Sequence, residues 1–208
     1  VNLGIEYEIN KTNYRLNPKS GSELRLTMSA GTRTVHKNNV ILKLSDPSFS
    51  YSSLYDSVTG NSYQFRVRMS AAHYFQLGRQ STFKTALNGG LFQSPSIFRN
   101  ELFQIGGYKL LRGFDEESIY ASRYLAATFE YRYLVGLNSF LFTFVDAGWA
   151  ANTSSSIRTS NGFLGAGLGL AFETKAGIFN ISYAAGKRND TNFNLRQSKI
   201  HLGYVSYF

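Results

Sequence analysis

Gly162-Phe163-Leu164-Gly165-Ala166-Gly167-Leu168-Gly169-Leu170-Ala171-Phe172-Glu173-Thr174 is the stretch that decides how this chain folds. Successive side chains of a strand point to opposite faces. Leu164, Ala166, Leu168, Leu170 and Phe172 therefore share one face, and Gly165, Gly167, Gly169 and Ala171 the other. The first face is apolar enough to meet lipid, and the second is nearly bare. Glycine inside a strand costs stability and marks close approach by another group, so the bare face predicts that something packs against it. The neighbouring segments repeat the two-faced pattern. Phe179, Ile181 and Tyr183 alternate with Asn180, Ser182 and Ala184. Ile200, Leu202, Tyr204 and Phe208 share a face, interrupted by Ser206. Upstream, Tyr63, Phe65, Val67 and Met69 stand opposite Gln64, Arg66, Arg68 and Ser70.

The same reading extends over the whole chain. Strands are predicted at Leu3 to Ile9, Glu23 to Val35, Tyr63 to Leu77, Thr82 to Phe92, Arg123 to Val135, Ser139 to Ala150, Gly162 to Thr174, Ile178 to Gly186 and Gln197 to Phe208. Short turns, at Asn17-Pro18-Lys19-Ser20-Gly21, Gly78-Arg79-Gln80-Ser81, Gly136-Leu137-Asn138 and 175–177, alternate with longer polar connections at 36–61, 93–122, 151–160 and 187–195. No segment shows a helical period. About nine long antiparallel strands with this turn asymmetry predict an all-β transmembrane β-barrel, with short turns on the periplasmic side and long loops outside. A soluble β-sandwich is the alternative, but its strands usually run about 5–6 residues, shorter than these.

Composition agrees. Mean hydropathy is mildly negative, and no run reaches the roughly 18 apolar residues of a membrane-spanning helix. Yet 15% of residues are aromatic, with 17 Phe and 14 Tyr, glycine numbers 19 and proline only 3. Many of the aromatics fall near the ends of alternating segments, as in the girdles of outer-membrane barrels. The net charge of +9 is spread along the chain. It is not gathered on one helix, as nucleic-acid binding would require. The 208 residues hold no cysteine, which excludes disulfides, thiolate metal sites and cysteine nucleophiles. Val1 starts directly in a strand-like pattern without the features of a signal peptide. Two explanations stand: a removed leader, or a fragment of something longer.

The residues with chemical interest are distributed over four segments. The connection 93–122 carries Gly106-Gly107-Tyr108-Lys109-Leu110-Leu111-Arg112-Gly113-Phe114. The next strand carries Glu130-Tyr131-Arg132, the one after it Phe144-Val145-Asp146-Ala147-Gly148, and the next the glycine stripe. If the long loop folds into the lumen, Arg112 needs an anionic partner on the wall. Glu130 and Asp146 lie on adjacent strands at positions that can both point inward, and a guanidinium fork suits carboxylates. Gly165, Gly167 and Gly169 would give the loop room.

This ordered set resembles the BamA/TamA superfamily of outer-membrane assembly and translocation barrels, also called bacterial surface antigens. The family's Val-Arg-Gly-Phe/Tyr loop motif is matched by Leu111-Arg112-Gly113-Phe114, with Leu for Val. Its Phe-x-Asp-x-Gly strand motif is intact at Phe144 to Gly148, and the Asn-Pro-x-x-Gly turn at 17–21 is also similar. The run from Asn100 to Trp149 looks most like members from the Bacteroidetes. The resemblance implies that Arg112, Gly113 and Phe114 form the tip of a lumenal loop locked onto Glu130 and Asp146. It implies a Gram-negative outer-membrane location, in contact with lipid and lipopolysaccharide. The implied activity is assembly of unfolded outer-membrane proteins, or translocation of polypeptide, without covalent chemistry. The family's seam, where substrate strands add by β-augmentation, would have Gln197–Phe208 as one side.

Family barrels have sixteen strands, usually preceded by POTRA domains. Residues 1–208 would then be the C-terminal strands of such a barrel, without a POTRA domain. The missing N-terminal strands would come from the same polypeptide or an oligomer. A barrel of about eight strands is filled by its own side chains and could not hold the long loop. Alternative roles are a passive barrel that anchors or exports a fused enzyme domain, such as a patatin-like lipase, and a small structural pore. Phe208, with Tyr204 and Gly203, fits the C-terminal sorting signal of outer-membrane barrels, although Ser206 departs from it. No enzyme, metal or cofactor is expected. His36, His73 and His201 lack ligand spacing, no Gly-x-Ser-x-Gly elbow occurs, and Asn88-Gly89-Gly90 precedes no helix that would make a phosphate loop. Glu116 and Glu117 read as solvated loop residues.

Overall fold

The structure is a computed structural model that describes residues 1–45, 48–56, 60–154, 158–191 and 195–206. Its main sheet is antiparallel and nine-stranded. It is formed by β1 (Asn2–Asn10), β2 (Gly21–Thr34), β3 (Asn61–Gln76), β4 (Ser81–Gln93), β7 (Arg123–Leu134), β8 (Phe140–Asn152), β9 (Thr159–Glu173), β10 (Gly177–Arg188) and β11 (Lys199–Ser206), paired in that order. A separate two-stranded sheet, β5 (Phe103–Ile105) with β6 (Ile119–Ala121), lies within the connection from β4 to β7. From β2 to β10 the strands of the main sheet run 12 to 16 residues. At about 3.3 Å per residue, twelve residues extend roughly 40 Å, enough to cross the bilayer core at a barrel tilt of about 45°.

The two faces are reversed relative to a soluble protein. Leu164, Leu168, Leu170 and Phe172 of β9 are exposed, and so are Phe179, Ile181 and Tyr183 of β10. Leu125, Phe129, Tyr131 and Tyr133 of β7 continue this apolar surface. The buried face instead holds Arg112, Glu130, Arg132, Asp146 and His201, with Phe140, Phe142 and Phe144. A soluble sandwich would bury the leucines, whereas a membrane barrel turns them to lipid and keeps its charges inside. The sandwich alternative therefore fails on this chain.

The predicted strands differ from the observed ones mainly at their ends. β9 begins at Thr159, three residues before the predicted start, because Thr159, Ser160 and Asn161 continue the ladder opposite Asn152, Ala151 and Ala150. The last strand starts at Lys199, since Leu195–Gln197 form a 3-10 turn. Three corrections concern connections. Segment 36–61 holds a one-turn helix at Asn39–Leu42, capped by Asn38, and a 3-10 turn at Tyr51–Tyr55. Segment 93–122 contains the β5–β6 hairpin and a 3-10 turn at Arg99–Glu101, three-residue elements too short for alternation to reveal. The Asn17-Pro18 turn, expected as a tight polar hairpin end, has both residues buried.

Candidate functional site

The connection from β4 to β7 folds against the inner wall. Leu102, Phe103, Ile105 and Leu111 bury themselves with Phe92, Ala126, Ala150 and Phe163 of the main sheet. Its tip is a tight arch in which the Leu110 amide donates to the Gly107 carbonyl and the Gly107 amide to the Leu111 carbonyl, both at 3.3 Å. Glu116 is exposed, as expected, and its Oε2 also receives the Tyr108 amide at 2.9 Å. Leu111 has φ 61, a left-handed conformation that costs a non-glycine residue about 1–2 kcal/mol. Its side chain is 1% exposed, and burying a leucine is worth about 1.5–3 kcal/mol. Packing therefore offsets the strain and sets Arg112 in place.

Arg112 makes four polar contacts with the wall. Its amide and its Nε donate to Asp146 Oδ2 at 3.0 and 2.8 Å, and its Nη2 to Asp146 Oδ1 at 2.9 Å. Its Nη1 donates to Glu130 Oε2 at 2.5 Å. The guanidinium carbon also stands 3.4 Å from the centroid of the Phe144 ring. Asp146 is 1% and Glu130 4% exposed. Removing one member of so buried a pair leaves an uncompensated charge, which typically costs about 3–5 kcal/mol. Glu130 is shared: its Oε1 accepts from Arg132 Nε at 2.8 Å. Two guanidiniums and two carboxylates thus pair inside the wall, and Lys84, the register partner of Glu130, lines the same cavity as Glu130 and both arginines.

Glycines shape the seat, and register explains which ones. Gly165 lies opposite Asp146, Gly167 opposite Phe144 and Gly169 opposite Phe142. A Cβ on Gly165 would overlap the Arg112 carbonyl oxygen. At Gly167 and Gly169 a Cβ would run into the Phe144 and Phe142 rings and into carbonyls of β10. Of the stripe, Gly165 gives the loop room, while Gly167 and Gly169 give room to the aromatics of β8. Gly113 has φ 95, where L side chains are rarely tolerated. A Cβ there would also stand 2.7 Å from the Ala185 carbonyl carbon and the Gly186 nitrogen. Phe114 is half-buried and meets Phe163 edge-on at 5.3 Å.

Four contributors were not assigned to this site from sequence, although Gly203 was read there as part of the C-terminal sorting signal. His201 of β11 accepts the Gly113 amide on Nε2 at 3.0 Å. Gly203, two residues on, faces the Tyr108 ring, whose Cζ would be 2.5 Å from a Cβ there. Both follow from the alternation that turns Ile200, Leu202 and Tyr204 outward, so the signal was present once the strand's inner face was read as a contact surface. Arg132 and Asn17 are the others, joined at 3.0 Å from Nη1 to Oδ1. Tyr204 is exposed, its hydroxyl donating to the Ala176 carbonyl at 2.6 Å and its ring 4.8 Å from that of Phe179. Phe208 lies outside the described residues. Among the described residues no group of three or more His, Cys, Asp or Glu is placed to hold a metal.

The Omp85 superfamily domain model matches residues 1–204 of the chain. None of the curated proteins matches it.

Proposed function

The chain belongs to the Omp85 superfamily, and we propose from this premise that it serves as part of a factor that inserts outer-membrane proteins or moves polypeptide across the outer membrane. The superfamily comprises outer-membrane assembly and translocation proteins of Gram-negative bacteria and organelles. The observation that carries the reading is the loop held inside the wall by Arg112 on Asp146 and Glu130. A passive anchor needs only its lipid-facing surface and strand ladder. It has no need of a long loop tied down by buried charges that cost desolvation. The nine strands form one side of the lumen. β1 and β11 have no strand on their outer sides among the described residues, and open edges are not tolerated in lipid. Further strands, from the same polypeptide or an oligomer, would complete the wall. Unfolded outer-membrane proteins would be the substrates, with lipid and lipopolysaccharide around the barrel.

The test is assembly itself. The whole protein carrying Arg112→Ala, checked for folding by its heat-dependent mobility, is reconstituted in liposomes with an unfolded outer-membrane β-barrel as substrate. Insertion should slow at least severalfold relative to the unchanged protein. Insertion no faster than into protein-free liposomes, even with the unchanged protein, would overturn the reading in favour of a passive barrel.

A further inference from the structure

The turn that joins β1 to β2 reaches across the short-turn end of the lumen. In the sheet, β2 is separated from β7 by β3 and β4. Even so, Asn17 Nδ2 donates to the Leu137 carbonyl in the β7–β8 turn at 3.0 Å, and Asn17 is 1% exposed. Leu16 packs against the cluster of Leu134, Phe140, Phe142 and Phe144. The segment is internally braced: Asn13 Oδ1 receives the amides of Lys19 and Ser20 at 2.9 and 3.0 Å. A braced segment that buries Asn17 and Pro18 at the lumen mouth is a second plug, opposite in position to the long loop.

The two plugs share one polar chain. Asn17 Oδ1 accepts from Arg132 Nη1, Arg132 Nε donates to Glu130 Oε1, and Glu130 Oε2 accepts from Arg112 Nη1. Phe140 and Phe144 flank it, with Arg132 4.8 Å from the first ring centroid and Arg112 3.4 Å from the second. Glu130 has one oxygen for each arginine. If Arg132 loses the Asn17 oxygen, its freed donor can turn to Glu130, which Arg132 already contacts through Nε, and compete with Arg112 for the second oxygen. We propose that Asn17, acting through Arg132 and Glu130, is a positioning residue for the lumenal loop, so that displacing the β1–β2 turn loosens Arg112. The proposal deepens the functional reading above: a substrate arriving at the short-turn end, periplasmic in that reading, would release the loop by pushing on this turn.

The test reads loop position. These residues contain no cysteine, so spin labels can be placed on the full-length protein at Lys109→Cys, exposed on the loop, and Val145→Cys, exposed on the outer face of β8. Pulsed electron resonance then gives their distance distribution. Asn17→Leu, which removes the oxygen, should add a second, longer-distance population, as should Arg112→Ala. Asn17→Asp, of the same shape, loses the bond to Leu137 but keeps an acceptor for Arg132, and should retain the single population. If Asn17→Leu does not assemble, Asn17→Ser, which shortens the reach to Arg132, replaces it with the same expectation. An unmoved loop in the leucine or serine variant overturns the proposal. Equal broadening in the aspartate variant also overturns it, because the bond to Leu137 would then be what matters. Neither outcome bears on insertion activity, so the functional reading is tested separately.

Discussion

Gly165 of β9 lies against the backbone of Arg112, so closely that a single added Cβ would overlap the Arg112 carbonyl oxygen. The contact is between backbones, and neither side can rotate away. Because Asp146 is the register partner of Gly165, the position that must stay bare and the position that must carry a carboxylate are fixed by the same strand pair.

Gly165→Ala should therefore displace the loop, with a cost in the overpacking range of about 1–3 kcal/mol. Gly169→Ala presses on the Phe142 ring and the Ile181 carbonyl instead. It should lower stability without moving the loop. The distance between labels on Lys109 and Val145 separates the two, and a loop equally undisturbed in both variants would refute the assignment.

Arg112→Ala and Asp146→Ala should each destabilise the barrel by about 3–5 kcal/mol, since each leaves a buried charge unpaired. The double variant should cost much less than the sum. Trp149, the only tryptophan in the sequence, lies on the same strand as Asp146 and reports urea unfolding in lipid by fluorescence. Additive losses would mean that the pair does not act as a unit. Arg112→Lys should recover only part of the loss, because the ammonium keeps the charge but cannot reproduce the fork to two carboxylates.

The strands and the Arg112, Glu130 and Asp146 set were legible because each depends on a local rule: alternation for the strands, and parity on adjacent strands for the acids. The contacts that complete the site depend on what a distant element lays against a face. Asn17 sits in a sequence that reads as an ordinary Asn-Pro turn, and nothing near it says that the turn will reach past β3 and β4 to Leu137. Arg132 has the same parity as Glu130, so its inward direction was readable, but not its link to Asn17. The β5–β6 hairpin has only three residues per strand, fewer than a period-two pattern needs to show itself.

His201→Ala should leave the Gly113 amide buried without an acceptor, a loss of about 1–3 kcal/mol. Hydrogen exchange at that amide should accelerate by about tenfold or more, since 1.4 kcal/mol corresponds to one decade. His201→Gln offers an acceptor from nearly the same place and should restore most of the protection. Equal exchange in all three proteins would show that β11 does not hold the loop tip.

Gly203 separates two roles that the sequence merges. As part of a C-terminal sorting signal, its replacement would lower assembly whatever stands opposite. As a seat for Tyr108, its replacement matters only while the ring is present. Gly203 is not among the positive-φ glycines, so the backbone accepts alanine, and the obstacles within 3 Å are Tyr108 Cζ, Cε1 and Oη at 2.5, 2.6 and 2.9 Å. Gly203→Ala alone should lower the thermal midpoint in detergent, in line with overpacking of about 1–3 kcal/mol. With Tyr108→Ala the clash is gone, and alanine in a strand restricts the unfolded chain more than glycine, worth about 0.4–1 kcal/mol. In that background the substitution should be neutral or stabilising. The sign reversal is what packing requires and a sorting signal does not. A loss of the same size in both backgrounds would assign Gly203 to the signal and leave Tyr108 without a seat on β11.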